Sequence, residues 1–478
     1  MHDKERRGNS LAYSNLILRM ELEHRQIRFG EVAAAIGMAG GDVTSIDVIH
    51  SGKDKSIRDI TVDVSDAEES RIVDSLRQIE GLHIVNVSDR TFLAHLGGKI
   101  RISPSMPIKN RDDLSRVYTP GVAKVCMAIS EQPDKAFSLT IKRNTVAVIS
   151  DGSAVLGLGN IGPLAAAPVM EGKAMLFKQL AGVDAFPICL NSQDTEEIVR
   201  TIKSISPIFG GINLEDISSP RCFEIEQRLA GELDIPVFHD DQHGTAIVVV
   251  AGLLNALKVV RKRMEEVRVV VNGIGAAGAA ICKMLLAAGV TRLVPVDKNG
   301  AIVRGKSYSH PVWHWLSEQP QVEDGEVTLK EAICGADVFI GVSRGKLLTS
   351  RDVENMADRS IVFAMANPEP EISPEEALPH VGIYASGRSD YPNQINNVLV
   401  FPGLFRGLLD CRARSINESM KLVAAQAIAS VVTEDERNEH YIIPSIFNEQ
   451  VVSKIRQSVI ETAIATDVAR RIPKDFRA

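Results

Sequence analysis

Paired cysteines are missing from this 478-residue sequence: Cys126, Cys189, Cys222, Cys282, Cys334 and Cys411 lie far apart, with no CxxC among them. That scatter excludes a disulfide framework and a paired-cysteine metal site, and it fits reduced thiols buried in a cytoplasmic protein. Positive charge is not in excess. Lys and Arg number 54 against 61 Asp and Glu, and the formal net charge of -7 argues against nucleic acid as a partner. The first ten residues, MHDKERRGNS, lack the apolar stretch of a secretory leader. Long apolar runs are also scarce. The longest, Thr245 to Val260, falls short of the ~20 residues that a membrane span requires, and Asn255 and Lys258 interrupt it. It reads as a buried helix, and the chain reads as a soluble cytoplasmic protein with no membrane partner.

What is present is an ordinary globular composition, 45% hydrophobic and 24% charged. A chain of this length exceeds one compact core and points to two to four domains. The first ninety or so residues form one candidate unit. Leu16, Leu18 and Met20 alternate in a strand, a helix follows from Phe29 to Ile36, and Gly40-Gly41 stops it. Strands around Val43 to Ile49 and Ile57 to Val64 flank the turn Ser51-Gly52-Lys53. Ser65 and Glu68 form a capping box for a second helix that ends near Gly81, and His83 to Val87 is the last strand. The order βαββαβ is that of a ferredoxin-like sandwich. It resembles ACT domains, modules that sense metabolites beside enzymes; a dimerisation module without a ligand is the alternative.

A link containing Ser103, Pro104 and Pro107 leads to alternating strands and helices, and the chain turns mostly helical after Pro402. The expected division is 1–92, 93–240 and 241–478. Within the last part, Val267 to Val271 reads as a strand, followed at once by Gly273-Ile274-Gly275-Ala276-Ala277-Gly278 and an alanine-rich helix. Strand, glycine turn and helix in that order bind a dinucleotide pyrophosphate on backbone amides at a helix N-terminus. Asp297 closes the next strand, where an acid binds ribose hydroxyls. Its charge favours NAD, while Lys298 beside it leaves NADP as the alternative. Asn367 ends another strand on the ligand side of such a sheet.

Two acidic loops precede this fold. Glu215-Asp216 follows an apolar turn, and Asp240-Asp241 follows the apolar strand Pro236 to Phe238. Oxygen ligands from two loops suit Mg²⁺ or Mn²⁺. His239 and His243 have the spacing of a zinc hydrolase pair, but the residue after the first histidine is Asp240 instead of glutamate, so ordinary hydrogen-bonded histidines fit better. Tyr118, in a turn before a helix, and Lys173, between apolar neighbours on a helix, are candidates for proton transfer. Burial can lower the pKa of such a lysine.

The motifs YTPGVA, SDGSAVLGLGNIG, EGKAMLFKQLAGVDAFPI, INLEDI, FHDDQHGTA, GIGAAG, ANPEPEI and SDYPNQINNVLVFPG follow one another across residues 100 to 478. In this order they resemble the prokaryotic malic enzymes, some of which carry an ACT-like module in front. The resemblance implies an α/β fold with a Rossmann-type NAD domain beside an α/β substrate domain. It implies oxidative decarboxylation of L-malate to pyruvate and carbon dioxide with a divalent metal, decarboxylation of oxaloacetate as a companion activity, and a homodimer or larger homo-oligomer. It makes Tyr118 the general acid, Lys173 the base with Asp240 close by, and Glu215, Asp216 and Asp241 the metal ligands. Asn367 and Asn397 become contacts to substrate and nicotinamide. The departure is Ala154, which stands where larger animal enzymes bind the substrate carboxylate with an arginine. Asn397, a backbone amide or a lysine are the alternatives there. A malolactic enzyme that retains its nucleotide, or a sensor that has lost catalysis, are the competing functions.

Overall fold

The structure, a computed structural model, describes residues 13–476 and divides into two compact units, one ending at Ile102 and one starting at Ser103. The N-terminal ten residues read for a leader lie outside the described residues.

In the first unit, β1 (Tyr13–Glu23) leads to the helix Phe29–Met38. β2 (Asp42–Ser51) and β3 (Lys55–Ser65) follow, then the helix Asp66–Arg77 and β4 (Leu82–Asp89). The strands pair antiparallel in the order β2-β3-β1-β4, the ferredoxin-like arrangement expected from the element order. Strand periodicity of two turns Leu16, Leu18, Met20 and Leu22 to one face. There they meet Ile60 and Val62 of β3 and the helix residues Val32, Ile36, Ile72 and Leu76. Burying each such side chain is worth about 1.5–3 kcal/mol, so this one face accounts for the sandwich. On the other face the bidentate pair Arg19–Asp59 joins β1 to β3, both bonds 2.7 Å long. The strands run a few residues past their alternating stretches because backbone pairing continues into polar ends. The Ser65 side chain of the expected capping box lies outside the described residues.

The second unit holds two parallel-strand layers. β5 (Thr145–Ser150), β6 (Asp184–Cys189), β7 (Gly211–Leu214) and β8 (Val237–His239) form a parallel sheet ordered β6-β5-β7-β8. Every residue of β5 and β7 is buried, and the segment Gly211–Leu214, expected as an apolar turn, is a strand of this sheet. Parallel strands put their carboxyl ends on one edge. Asp151, Glu215 and Asp240 each follow directly on β5, β7 and β8 at that edge.

The other layer comprises β9 (Arg268–Asn272), β10 (Arg292–Asp297), β11 (Gly300–Ala301), β12 (Val338–Gly341), β13 (Ile361–Ala364) and β14 (Ile383–Ser386). Its order β11-β10-β9-β12-β13-β14 is parallel except for the two-residue β11. Counted within the sheet this is 3-2-1-4-5-6, the Rossmann-type doubly wound order, with its switch point between β9 and β12.

The helix Thr245–Val260 passes through the core and packs with the C-terminal helices, and one cluster of buried residues spans both layers. The helix is longer than its apolar run suggests. A π-turn over Asp240–Gly244 extends it to 21 residues, long and apolar enough by composition to cross a membrane. Most of it is nevertheless buried inside the protein.

Candidate active site

The long helix Pro163–Ala181 follows β5 and carries Lys173 on its buried face, beside Met170, Ala174 and Phe177. Its ammonium donates to Glu215 Oε2 at 2.5 Å and to Asp240 Oδ2, and it lies 4.4 Å from the centre of the Phe401 ring. Glu215 also accepts from Asn213 Nδ2 at 3.0 Å. Burial alone would depress the lysine, but Asp240 and Glu215 outweigh it and hold the ammonium above its usual value. The expectation of a burial-lowered lysine is therefore corrected. The apolar neighbours seen in sequence are present, but the two carboxylates come from loops distant in the chain.

Glu215, Asp216 and Asp241 each offer an oxygen within 4.8 Å of the others. Burial raises all three carboxyls above the ordinary range, with neighbouring carboxylates adding to the rise and Lys173 pulling against it. Asp216 Oδ2 is buried without a hydrogen-bond partner. Its backbone N–H donates to Asp241 Oδ2 at 2.7 Å, which ties the two loops together. Crowded hard oxygens with an unsatisfied buried atom among them fit Mg²⁺ or Mn²⁺, whose charge would offset the repulsion. Asp240 is pushed up to about 7, mainly by burial, with Lys173 opposing.

The π-turn Asp240–Gly244 carries both acids, Asp240 fully buried and Asp241 partly exposed. Such turns cluster at functional sites because they re-aim side chains within a helix. A Cβ on Gly244 would lie 1.9 Å from Asp240 Oδ1 and 3.2 Å from the Asn397 Cβ, so only glycine fits there. The same close approach brings Asn397 to the turn.

Glu226, which sequence reasoning missed, clamps this turn from behind. One oxygen accepts the His239 backbone N–H at 2.9 Å, and the other lies 2.9 Å from His243 Nε2. His243 Nδ1 is 3.1 Å from Lys421 Nζ, which also donates to Glu418 at 2.8 Å. Burial pushes Glu226 up, but His243, with His239 and Lys421, outweighs it and holds the carboxyl at about 2. His239 is pushed down to about 4 by burial, and neither ring nitrogen has a hydrogen-bond partner, Nδ1 lying 3.7 Å from Asp241 Oδ2. The expectation of hydrogen-bonded histidines therefore holds for His243 and not for the ring of His239. A charged residue on a helix ordinarily reads as solvent-facing, so only the fold exposes Glu226's role.

At the nucleotide site Gly273 takes φ +102°, and its N–H donates to Val296 O at 2.8 Å. Gly275 precedes the helix Ala276–Ala287, whose first turn contains Ala276, Ala277 and Gly278. A Cβ on Gly278 would lie 2.0 Å from Gly273 O, so this glycine lets the turn close on the helix. Asp297, at the end of β10, lines with Gly273 a cleft of about 870 Å³ that also takes in Lys298, Lys306 and Arg344. Lys306 is paired with Glu326 at 2.8 Å. Asn367 is exposed after β13; its carbonyl lies against Gly157 and its side-chain amide against Gly387. Tyr118 ends the short helix Arg111–Val117 and is 69% exposed. No hydrogen bond among the described residues joins it to the lysine cluster. The structure thus brings together Lys173, Asp240, Asp241, Glu215, Asp216 and Asn397, and separately Gly273, Gly278 and Asp297.

A pyrophosphate turn at a Rossmann switch point, in one unit with a buried lysine and an oxygen-rich ion site, places the protein among the nicotinamide-dependent oxidoreductases. Residues 97–230 match the family model for the malic enzyme N-terminal domain, and residues 242–469 that for the malic enzyme NAD binding domain. The chain is 63% identical over 461 residues to a NAD-dependent malic enzyme of Geobacillus stearothermophilus, covering 96% of each. It is 51% identical over 398 residues to a bifunctional malic/malolactic enzyme of Bacillus subtilis, covering 83% of this chain and 95% of that one. A NAD-dependent malic enzyme of Thermotoga maritima superposes with a TM-score of 0.74 at 48% identity, over 78% of this chain and 99% of that one. The chain belongs to the malic enzyme family.

The Glu226 clamp is tested by Glu226→Ala. Removing one partner of a buried charged pair costs about 3 kcal/mol. The variant is expected to unfold at lower urea and to bind Mn²⁺ more weakly in titration calorimetry. Unchanged Mn²⁺ affinity would mean that the clamp does not orient Asp241.

Proposed function

We propose that the protein is a NAD-dependent malic enzyme that uses Lys173 and Asp240 as its proton-transfer pair. It oxidises L-malate to pyruvate and carbon dioxide. The observation that carries the residue assignment is the contact of the Lys173 ammonium with both Glu215 and Asp240 beside the clustered oxygens of Asp216 and Asp241.

Glu215, Asp216 and Asp241 are the residues that would hold Mg²⁺ or Mn²⁺. When bound, the ion supplies Lewis-acid polarisation of the substrate oxygen and draws carboxylate charge away from Lys173. The Lys173 ammonium first passes a proton to Asp240, to which it is hydrogen-bonded, and the neutral amine then takes the proton of the 2-hydroxyl. Gly273, Gly275, Ala276, Ala277 and Gly278 would hold the pyrophosphate of NAD, with Asp297 at the ribose, and the bound nicotinamide would serve as acceptor for the hydride of C2. The C3–C4 bond then breaks, and its electron pair remains on the three-carbon product as carbon dioxide leaves. Tyr118 returns a proton to C3. Asn367 and Asn397 orient substrate and nicotinamide.

The three-part division 1–92, 93–240 and 241–478 belongs to the same reading, supported by three sheets that share no strand. So does a homodimer. The short helices Arg111–Val117 and Val122–Glu131 bury no residue of their own, and Leu114, Tyr118 and Met127 are exposed around them. A second copy covering this surface would shield Tyr118 from water. The ferredoxin-like unit is the place for a metabolite effector.

With malate, NAD and Mn²⁺ the protein is expected to release reduced nicotinamide, and chelation should abolish the signal. Tyr118→Phe should slow pyruvate formation at least about 100-fold, the usual scale of one general acid, with little change in Mn²⁺ or NAD affinity. Lactate without free reduced nicotinamide would instead identify a malolactic enzyme, and near-normal turnover of the variant would remove Tyr118 from the mechanism. Sedimentation velocity should give a dimer or larger; a stable monomer with full activity contradicts the assembly. Amino acids and central metabolites, screened against turnover, should include one that shifts the rate, and a flat response leaves the first unit without an effector.

A further inference from the structure

Malate brings two carboxylates into a site whose described side chains already include four acids, Glu215, Asp216, Asp240 and Asp241. The ammonium of Lys173 lies between two of them. A second cation with unengaged donors lies at the same sheet edge. Arg221 opens the helix Arg221–Glu232, at the far end of the loop that carries Glu215 and Asp216.

Its Nη2 donates to Asp151 Oδ2 at 2.6 Å, and Asp151 is 1% exposed. The other Asp151 oxygen accepts from the Ser153 N–H at 3.0 Å and from the Ser153 hydroxyl at 2.5 Å. That hydroxyl in turn accepts the Ser218 N–H at 2.9 Å, and the Ala154 N–H donates to Asp216 O at 3.0 Å. These bonds bolt the loop after β5 to the loop after β7 and fix the guanidinium at their seam. Arg221 Nε is buried without a partner, while the side chain as a whole is 22% exposed. The group therefore has a rigid anchor at Nη2, an unpaired buried donor at Nε and a partly exposed side chain. Ala154 offers only a methyl group and an N–H that is already engaged.

We infer that Arg221 binds the carboxylate that malate retains in pyruvate. This rests on the malic enzyme reading. The leaving carboxylate must lose its charge as carbon dioxide, so a guanidinium on it would stabilise the ground state more than the transition state. The retained carboxylate keeps its charge throughout, and a cation there holds the substrate without opposing the reaction. A planar fork fixed by Asp151 suits a carboxylate better than a flexible ammonium does.

Pyruvate carries only the retained carboxylate and so serves as the probe. For Arg221→Gln, the KM for malate and the inhibition constant of pyruvate should rise together, by roughly 10- to 100-fold for a lost charge-assisted bond. The KM for NAD should stay within about threefold, a change under 1 kcal/mol. Arg221→Lys keeps a charge opposite Asp151 and should fall between wild type and the glutamine variant, which preserves the test if the latter does not fold. A rise for malate with pyruvate unchanged would move the guanidinium to the leaving carboxylate and overturn the assignment. A rise confined to NAD would place it on the cofactor phosphates, with the same effect, and no change in any constant removes it from the site. Failure of the wild-type protein to turn over malate would instead defeat the underlying activity, so the two failures are distinguishable.

Discussion

The interaction on which the catalytic unit depends is the burial of the Lys173 ammonium between Asp240 and Glu215. An isolated ammonium in a protein interior is so costly that it would lose its proton or unfold its surroundings. Here it is tolerated because carboxylates from the ends of two strands reach it, and because the Phe401 ring covers it. The arrangement fixes three segments at once: the helix after β5, the loop after β7 and the turn after β8. Buried ion pairs of this kind add little to stability over a hydrophobic replacement. Their retention at the edge where ligand-binding loops gather is an argument for chemistry.

Around that pair the protein supplies successive supports. Glu226 and His243 hold the π-turn from behind, Gly244 gives Asp240 its space, and the Asp216–Asp241 bond closes the ring of acids. The Rossmann layer needs none of this charge. Its contribution is a backbone turn at the β9–β12 switch point, where Gly273 and Gly278 press together at the start of the helix Ala276–Ala287.

Much of this was legible in the sequence. Alternation in Leu16, Leu18 and Met20 marked β1, and a glycine turn between strand and helix marked the nucleotide site, since both signals are local and periodic. The acidic loops were visible as pairs, though their convergence was not, because Lys173 and Asp240 are 67 positions apart. The direction of the lysine's pKa shift was misread for the same reason. Burial is visible from neighbouring residues, and compensating charge from remote loops is not. The π-turn and the Glu226 clamp left no pattern at all. Both depend on the register of a single turn, which periodicity cannot resolve. Tyr118 shows the opposite limit. Its motif is easily read, yet the side chain stands largely exposed, and nothing in the motif indicated that.

The contact between Gly244 and Asp240 also constrains how this sequence can diverge. With 1.9 Å between an added Cβ and the Asp240 oxygen, no side chain can enter at 244 while the aspartate keeps its place. The dependence runs one way: Gly244 can stay whatever stands at 240, but a side chain at 244 requires the carboxylate at 240 to be gone or the turn to be rebuilt.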